Sequence, residues 1–163
     1  MVVTGESAGG HLALSMGMIP DGEGLDRQCA GPAPLPKVAA VINWYGVTDV
    51  ADVIDGPNSR ATAVQWLGSM PNRLDIARRL SPLTYVRAGL PPILSIHGDA
   101  DPTVPYQEAV RLHAALAKAG ARNQLLTIPG GKHGGFTPEE RTKIYGVIRE
   151  FLAKNSLGAN SSN

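Results

Sequence analysis

Short apolar runs alternate with longer stretches of mixed polarity along this chain, and the alternation predicts strands separated by helices. Four runs predict strands, at residues 2–6, 37–44, 92–97 and 124–128. Three stretches with helix-forming composition or amphipathic spacing predict helices, at residues 8–18, 106–119 and 138–154. The run VAAVINW is almost continuously apolar, as is typical of a parallel strand covered on both faces. We therefore predict an α/β fold in which a mostly parallel sheet has helices on both faces.

Three segments depart from this alternation. Gly and Pro are dense in residues 20–36, which predicts a surface loop. Residues 49–80 contain two short helical patterns, ATAVQWLG and LDIARRL, and we predict a helical excursion there. Residues 155–163 predict a flexible tail. The 163 residues suit one domain, which we place at residues 1–154.

Composition narrows the function classes. The chain is 43% hydrophobic and 18% charged, which excludes a disordered protein. The formal net charge of +1 gives no indication of nucleic-acid or membrane partners. The only cysteine, Cys29, cannot form an internal disulfide, so packing must hold the fold together. No leader or membrane-spanning run is visible, and we expect the chain as given to be soluble, with its compartment left open.

The opening segment carries the first candidate chemistry. Gly5-Glu6-Ser7-Ala8-Gly9 lies between a predicted strand and a predicted helix, which is the setting of a nucleophile elbow. We expect side chains at Gly5 and Gly9 to collide in such a turn, and Ser7 to hold a strained backbone conformation. The helix would direct the Ala8 N–H toward an oxyanion. The alternative is a glycine-rich turn with a helix-capping serine.

A serine nucleophile requires a base, and the base requires an orienting acid. Two carboxylates, Asp99 and Asp101, follow the predicted strand 92–97, at the edge where open α/β sheets place their chemistry. We favour Asp101 as the acid, because Asp99 is suited to capping the turn. His133 follows the last predicted strand between two glycine pairs, and we predict that it is the base. The resulting order is Ser, Asp, His.

The remaining candidates have simpler interpretations. We expect the other histidines, His11, His97 and His113, to be structural. No spacing of His, Cys or acidic residues indicates a metal site. We predict that Glu6, Trp44 and Tyr45 contribute to a substrate pocket, and packing in the core is an equal alternative for the two aromatic residues.

Several segments together resemble the α/β-hydrolase superfamily. They are GESAGGHLAL, SPLTYV, PPILSIHGDADPTVPY and LLTIPGGKHGGF, and they are similar to bacterial carboxylesterases related to hormone-sensitive lipase and to feruloyl or acetyl esterases. The resemblance implies that Ser7 is the nucleophile, Asp101 the acid and His133 the base of a cofactor-independent serine esterase that acts on small-molecule esters. A serine peptidase of the prolyl-oligopeptidase type shares this order and is an alternative.

The chain also departs from that family, because it resembles only the C-terminal half of a hydrolase. Complete members have earlier strands and an often HGGG-like loop that supplies a second oxyanion donor. We therefore expect the first strand to have an unpaired edge, and a homo-oligomer to cover it. A catalytically weak half-domain that acts in assembly with a partner chain is the alternative function.

Overall fold

The computed structural model describes residues 1–20, 23, 25, 36–56, 58, 59 and 61–157. The strands are β1 (Val2–Glu6), β2 (Ala40–Trp44), β3 (Ile93–Gly98) and β4 (Asn123–Ile128). The helices are α1 (Ala8–Met18), α2 (Val50–Asp55), α3 (Ala61–Leu67), α4 (Arg73–Leu80), α5 (Gln107–Lys118) and α6 (Pro138–Lys154), and a 3₁₀ helix covers Pro82–Tyr85. Most of the predicted loop 20–36 and residues 158–163 of the predicted tail lie outside the described residues.

The four strands form one parallel sheet in the order β1-β2-β3-β4. Because all strands run in one direction, their carboxyl ends meet at the same edge, and the loops that follow them converge there. This confirms the predicted α/β class with a parallel sheet.

Helices cover both faces of the sheet. One buried cluster packs α1 and α5 against the strands, and it contains Leu14, Val41, Ile93, Leu112 and Leu116. A second cluster packs α6 and the aromatic residues after β2 against the opposite face, and it contains Trp44, Tyr45, Ile96, Phe136 and Phe151. A smaller third cluster joins α2, α3 and α4, with Val50, Ile54, Leu67 and Ala77 buried.

Element boundaries follow hydrogen-bonding partners. β2 begins at Ala40 rather than at residue 37, because its ladder begins where Val2 of β1 pairs with Ala40. β3 begins after Pro92, which has no N–H to give to a ladder. Thr137 and Glu140 form a reciprocal capping box that fixes the start of α6. Leu157 packs against the second cluster, so ordered packing continues past the end of α6.

β1 is at an edge of the sheet and has exposed apolar side chains on both sides. One groove beside it is lined by residues that include Val2, Trp44, Tyr145 and Leu152. The groove on the other side is lined by residues that include Val3, Leu12 and Met16. Within the described residues, no helix combines the length and apolarity needed to cross a membrane.

Candidate active site

Ser7 occupies the tight turn between β1 and α1. Its backbone has φ 53° and ψ −117°, a conformation that costs a non-glycine residue about 1–3 kcal/mol. Two hydrogen bonds hold it there: the Ser7 N–H donates to the Trp44 carbonyl at 2.9 Å, and the Ser7 carbonyl accepts from the His11 N–H at 3.0 Å. The strain predicted for an elbow serine is present.

The glycines around the elbow differ in what they permit. A Cβ on Gly5 would lie 2.2 Å from the carbonyl oxygen of Gly9, so the close approach predicted at Gly5 is confirmed. The same prediction for Gly9 is wrong, because a Cβ there meets nothing within 4 Å. Gly9 contributes its backbone to the contact, and its own side-chain position points into open space. The second tight position is Gly10, where a Cβ would lie 2.5 Å from Oδ1 of Asn43.

His133 contacts both partners that the sequence assigned to it. Its Nε2 lies 2.8 Å from Oγ of Ser7, and its Nδ1 lies 2.8 Å from Oδ2 of Asp101. The Asp101 side chain is fully buried, and the His133 side chain is 21% exposed. Gly130, Gly134 and Gly135 have positive φ and give the loop the turns it needs to bring the ring back over the sheet. The structure thus brings the three side chains together.

The Asp101 carboxylate is held on both oxygens. Oδ1 accepts from the Thr103 N–H at 2.7 Å and from the Val104 N–H at 3.0 Å, which leaves Oδ2 facing His133. Asp99 has a different partner, because its Oδ1 accepts from the Gly130 N–H at 2.7 Å. Asp99 therefore braces the start of the His133 loop, and Asp101 is the carboxylate that reaches the imidazole.

His97 also contacts the acid, which sequence reasoning missed. Its Nε2 lies 3.0 Å from the Val104 carbonyl and 3.4 Å from Oδ2 of Asp101. Burial lowers the pKa of His97, so the ring is neutral, and its Nε2–H donates to the carbonyl. The signal in the sequence is the position of His97 near the end of β3, four residues before Asp101, because the loop between them must turn back on itself.

His11 and His113 lie away from the Ser7 hydroxyl. Nδ1 of His11 lies 3.0 Å from the Val47 carbonyl, and Nδ1 of His113 lies 2.9 Å from Oδ1 of Asn123. Burial lowers the pKa of both rings. These contacts tie α1 and α5 to neighbouring segments.

The predicted pocket residues adjoin the site. Trp44 and Tyr45 are both 5% exposed and belong to the second core cluster. The Tyr45 hydroxyl donates to Oε2 of Glu6 at 2.6 Å, and Nε1 of Trp44 donates to Oγ1 of Thr4 at 3.2 Å. Their contribution to a substrate pocket stays a prediction.

Ala8 begins α1 immediately after Ser7. The N–H groups of a helix's first turn have no partner within the helix, and they carry the positive end of its dipole. The Ala8 N–H is one of these groups, and its role as an oxyanion donor stays a prediction.

Comparisons with known proteins give relatives of one kind. The BD-FAE family model matches residues 1–116. The chain is 31% identical to Esterase LipC of Mycobacterium tuberculosis over 145 residues, which cover 82% of this chain and 34% of LipC. It is 29% identical to the probable carboxylic ester hydrolase LipM of the same organism over 113 residues, covering 67% of this chain and 26% of LipM.

Solved structures of an esterase are similar over nearly the whole chain. The native structure of esterase Est2 from the Planctomycetes species Thermogutta terrifontis has a TM-score of 0.78 and 30% identity, and the match covers 99% of this chain and 57% of Est2. The same esterase phosphonylated by sarin has a TM-score of 0.79 and 28% identity, covering 98% and 58%. The chain thus spans about a third of the length of LipC and somewhat more than half of Est2.

Proposed function

This chain belongs to the BD-FAE family of α/β-hydrolases, and from that premise we propose that it is a carboxylesterase, a serine esterase that acts on short-chain acyl esters. The observation that carries the proposal is the position of His133, whose two ring nitrogens lie 2.8 Å from Ser7 Oγ and 2.8 Å from Asp101 Oδ2. This arrangement gives a hydroxyl a base and gives the base an acid.

The proposed reaction proceeds through an acyl-enzyme. Ser7 Oγ attacks the ester carbonyl carbon while Nε2 of His133 takes the hydroxyl proton. Asp101 holds the imidazole in the tautomer that leaves Nε2 free to accept, and it stabilises the imidazolium. The Ala8 N–H donates to the developing oxyanion. His133 then gives the proton to the leaving alcohol, and water, activated by the same imidazole, releases the acid.

The known relatives support both the ester and the short acyl chain. LipC is named an esterase, LipM is named a probable carboxylic ester hydrolase, and Est2 was solved with propionate and with butyrate bound. Est2 was also solved phosphorylated by paraoxon. We therefore expect this chain to turn over acetate and butyrate esters and to react with an organophosphorus probe.

Turnover of p-nitrophenyl acetate and butyrate tests the proposal, with Ser7→Ala as the critical variant. The matched control is Ser15→Ala, which removes a hydroxyl from α1, the helix that begins directly after Ser7; the Ser15 hydroxyl donates to the His11 carbonyl. We expect Ser7→Ala to lower kcat by at least ~10³-fold and Ser15→Ala to leave it near the wild-type value. Equal rates for the wild type and Ser7→Ala would reject the proposal.

Mass mapping with a fluorophosphonate identifies the nucleophile independently. The label is expected on the peptide that contains Ser7, and His133→Gln is expected to abolish labelling. A panel of proline-containing peptides separates an esterase from the peptidase alternative. Cleavage of these peptides with no ester turnover would contradict the proposal.

We further propose that residues 1–154 act as one domain, in which the helices between Val50 and Leu80 form an excursion. These helices have their own buried cluster, and the buried Glu108 side chain of α5 accepts hydrogen bonds from Thr48 just before them. Limited proteolysis under native conditions is expected to leave this unit intact. Rapid cutting between β2 and β3 would contradict a single domain.

A second copy of the chain is our proposed cover for the edge of β1. Val2-Val3-Thr4-Gly5 carries no charge, and Leu12 and Met16 beside it are 61% and 58% exposed, so a two-fold contact would place apolar surface on apolar surface. Light scattering is expected to give the mass of a dimer. Leu12→Lys should convert it to a monomer, and Met70→Lys, at an exposed position that lines neither groove beside β1, should not. A wild-type monomer would overturn this proposal.

A further inference from the structure

Tyr45 holds an unusual backbone conformation beside the site. It follows β2 directly and has φ 42°, in the left-handed region that bulky side chains rarely adopt. Among the described residues, the non-glycine residues with positive φ are Ser7, Tyr45 and Ser156, and two of these three adjoin the His133 ring. The Tyr45 N–H donates to the Ile96 carbonyl at 2.8 Å, so the sheet holds the strained residue in place. Strain that is held in this way tends to occur at functional sites.

The Tyr45 ring supports the loop that carries His133. The two ring centroids lie 4.8 Å apart, with the planes inclined by 63°. A Cβ on the next residue, Gly134, would lie 2.8 Å from the Tyr45 hydroxyl oxygen, and Gly134 has φ 75°. The loop therefore passes directly over the tyrosine, at a distance that only glycine permits.

The hydroxyl of the same side chain reaches the nucleophile elbow. It donates to Oε2 of Glu6 at 2.6 Å, and Glu6 is the residue before Ser7. Burial, together with the hydrogen bond to Glu6, raises the pKa of Tyr45 well above its ordinary value, so the hydroxyl keeps the proton it donates. One side chain thus contacts two segments that are more than 120 residues apart in the sequence.

We propose that Tyr45 is a positioning residue for the reaction, whose ring supports the His133 imidazole and whose hydroxyl fixes the elbow through Glu6. This role differs from the pocket wall that the sequence predicts, because Tyr45 acts through Ser7 and His133 rather than on the substrate. It rests on the proposed esterase function. A misplacement of about 1 Å in such a pair can lower the rate about 10²-fold.

The hydroxyl is tested with Tyr45→Phe, which keeps the ring and its volume. We expect kcat to fall about fivefold, the value of one ordinary hydrogen bond, with KM unchanged. Glu6→Ala should have the same effect, and the double variant should be no worse than either single variant. Glu6→Gln should restore most of kcat, because its amide oxygen still accepts. The control is Tyr85→Phe, which removes a hydroxyl that donates to the Arg79 carbonyl far from the site.

The ring is tested with Tyr45→Leu and a readout that does not depend on turnover. In ¹⁵N-histidine-labelled protein, the Nδ1–H of His133 is expected to be protected from solvent exchange, and His133→Gln assigns its signal. We expect Tyr45→Leu to lose this protection and about 10²-fold in kcat. Thermal melting checks that Tyr45→Leu folds. If it does not fold, Tyr45→Phe and Glu6→Ala still test the hydroxyl part of the proposal.

The outcomes separate the two proposals. A wild type that neither hydrolyses esters nor labels at Ser7, but whose His133 signal depends on Tyr45, would contradict the esterase while showing that Tyr45 holds the His133 ring in place. Additive effects of Tyr45→Phe and Glu6→Ala would overturn the positioning role. An unchanged His133 signal in a folded Tyr45→Leu variant would overturn it as well, whatever the activity.

Discussion

Gly98 and Gly131 touch through their backbones, and this contact joins the acid loop to the histidine loop. A Cβ on Gly98 would lie 2.1 Å from the Gly131 carbonyl oxygen, and that oxygen also accepts from the Ala100 N–H at 3.0 Å. Asp101 follows one side of the contact, and His133 follows the other. The distance between the Asp101 loop and the His133 loop is therefore set by Gly98 and Gly131, which have no side chains.

Gly98→Ala is expected to disturb the site without touching any side chain in it. The added methyl group must push the two loops apart, because its neighbour is backbone, and a displacement of about 1 Å can lower kcat about 10²-fold. The overpacking should also cost about 1–3 kcal/mol of unfolding free energy. Ester turnover and urea unfolding measure the two effects. The control is Gly146→Ala in α6, where a Cβ meets nothing within 4 Å. Because alanine favours a helix more than glycine does, we expect this variant to be slightly more stable than the wild type. Wild-type turnover in Gly98→Ala would contradict this account.

The two glycines on either side of Ser7 in the elbow motif, Gly5 and Gly9, should have opposite effects on the protein when replaced by alanine. Gly5→Ala places a methyl group 2.2 Å from the Gly9 carbonyl oxygen, so we expect the elbow to distort and Ser7 labelling by a fluorophosphonate to be lost. Gly9→Ala meets open space within a helix, so we expect the melting temperature to be kept or raised. A comparison of both variants by thermal melting and by labelling checks this. Similar losses in the two variants would show that the contact is not the cause.

The sequence predicts the sheet well because a buried parallel strand is marked by its own residues. Ile93 to His97 is apolar or fully buried along its length, and each predicted strand corresponds to an observed one. Its limits depend on partners, however. β2 starts at Ala40 because its neighbour β1 starts at Val2, and residues 37–39 contain no signal that indicates this boundary.

The sequence predicts those parts of the site that can be recognised from residues adjacent in the chain. A serine between a strand and a helix and an acid after a strand can be recognised from neighbouring residues. The contacts of Tyr45 with His133 and of His97 with Asp101 arise from loops that meet only when the sheet forms. The Gly9 error has the same origin, because which of two flanking glycines faces the strand depends on the direction of Cβ in the folded turn.

Mild acid should destabilise the fold through two buried histidines, His97 and His113, and one partly buried histidine, His11. Burial lowers the pKa of His11, His97 and His113 below the ordinary value of 6.5. Below about pH 6.5 the unfolded chain therefore binds protons that the folded chain does not. Stability is full above that pH and falls as the pH drops toward the lowered pKa values of the folded protein.

Melting temperatures measured from about pH 8 to pH 5 test this. We expect a progressive fall below about pH 6.5, and a smaller fall in His113→Gln, which removes one of the titrating rings. Urea unfolding at pH 8 confirms that the variant starts from a comparable stability. A melting temperature that stays flat between pH 7 and pH 5 would contradict the contribution of these rings.

Glu108 links α5 to the segment that follows Tyr45. Its side chain is fully buried, and Oε2 accepts from the Thr48 N–H, the Thr48 hydroxyl and the Asp49 N–H, each at 2.8 Å. Oε1 accepts from Arg111, which also pairs with Asp52 at 2.7 Å. Burial raises the pKa of Glu108, and these donors and the guanidinium oppose that rise.

Removing this carboxylate should therefore be costly. Glu108→Ala leaves two backbone N–H groups without their acceptor and deprives Arg111 of a partner, whereas the Thr48 hydroxyl keeps the backbone carbonyl of residue 108 as an acceptor. We therefore expect a loss of about 3–5 kcal/mol in unfolding free energy. Glu108→Gln should lose less, because an amide oxygen can still accept from Thr48. The control is Arg78→Ala, which breaks the pair with Asp75 at an exposed position and should cost no more than about 1 kcal/mol. Urea unfolding measures all three variants, and a Glu108→Ala loss no larger than that of Arg78→Ala would show that this contact does not hold the segment after Tyr45 in place.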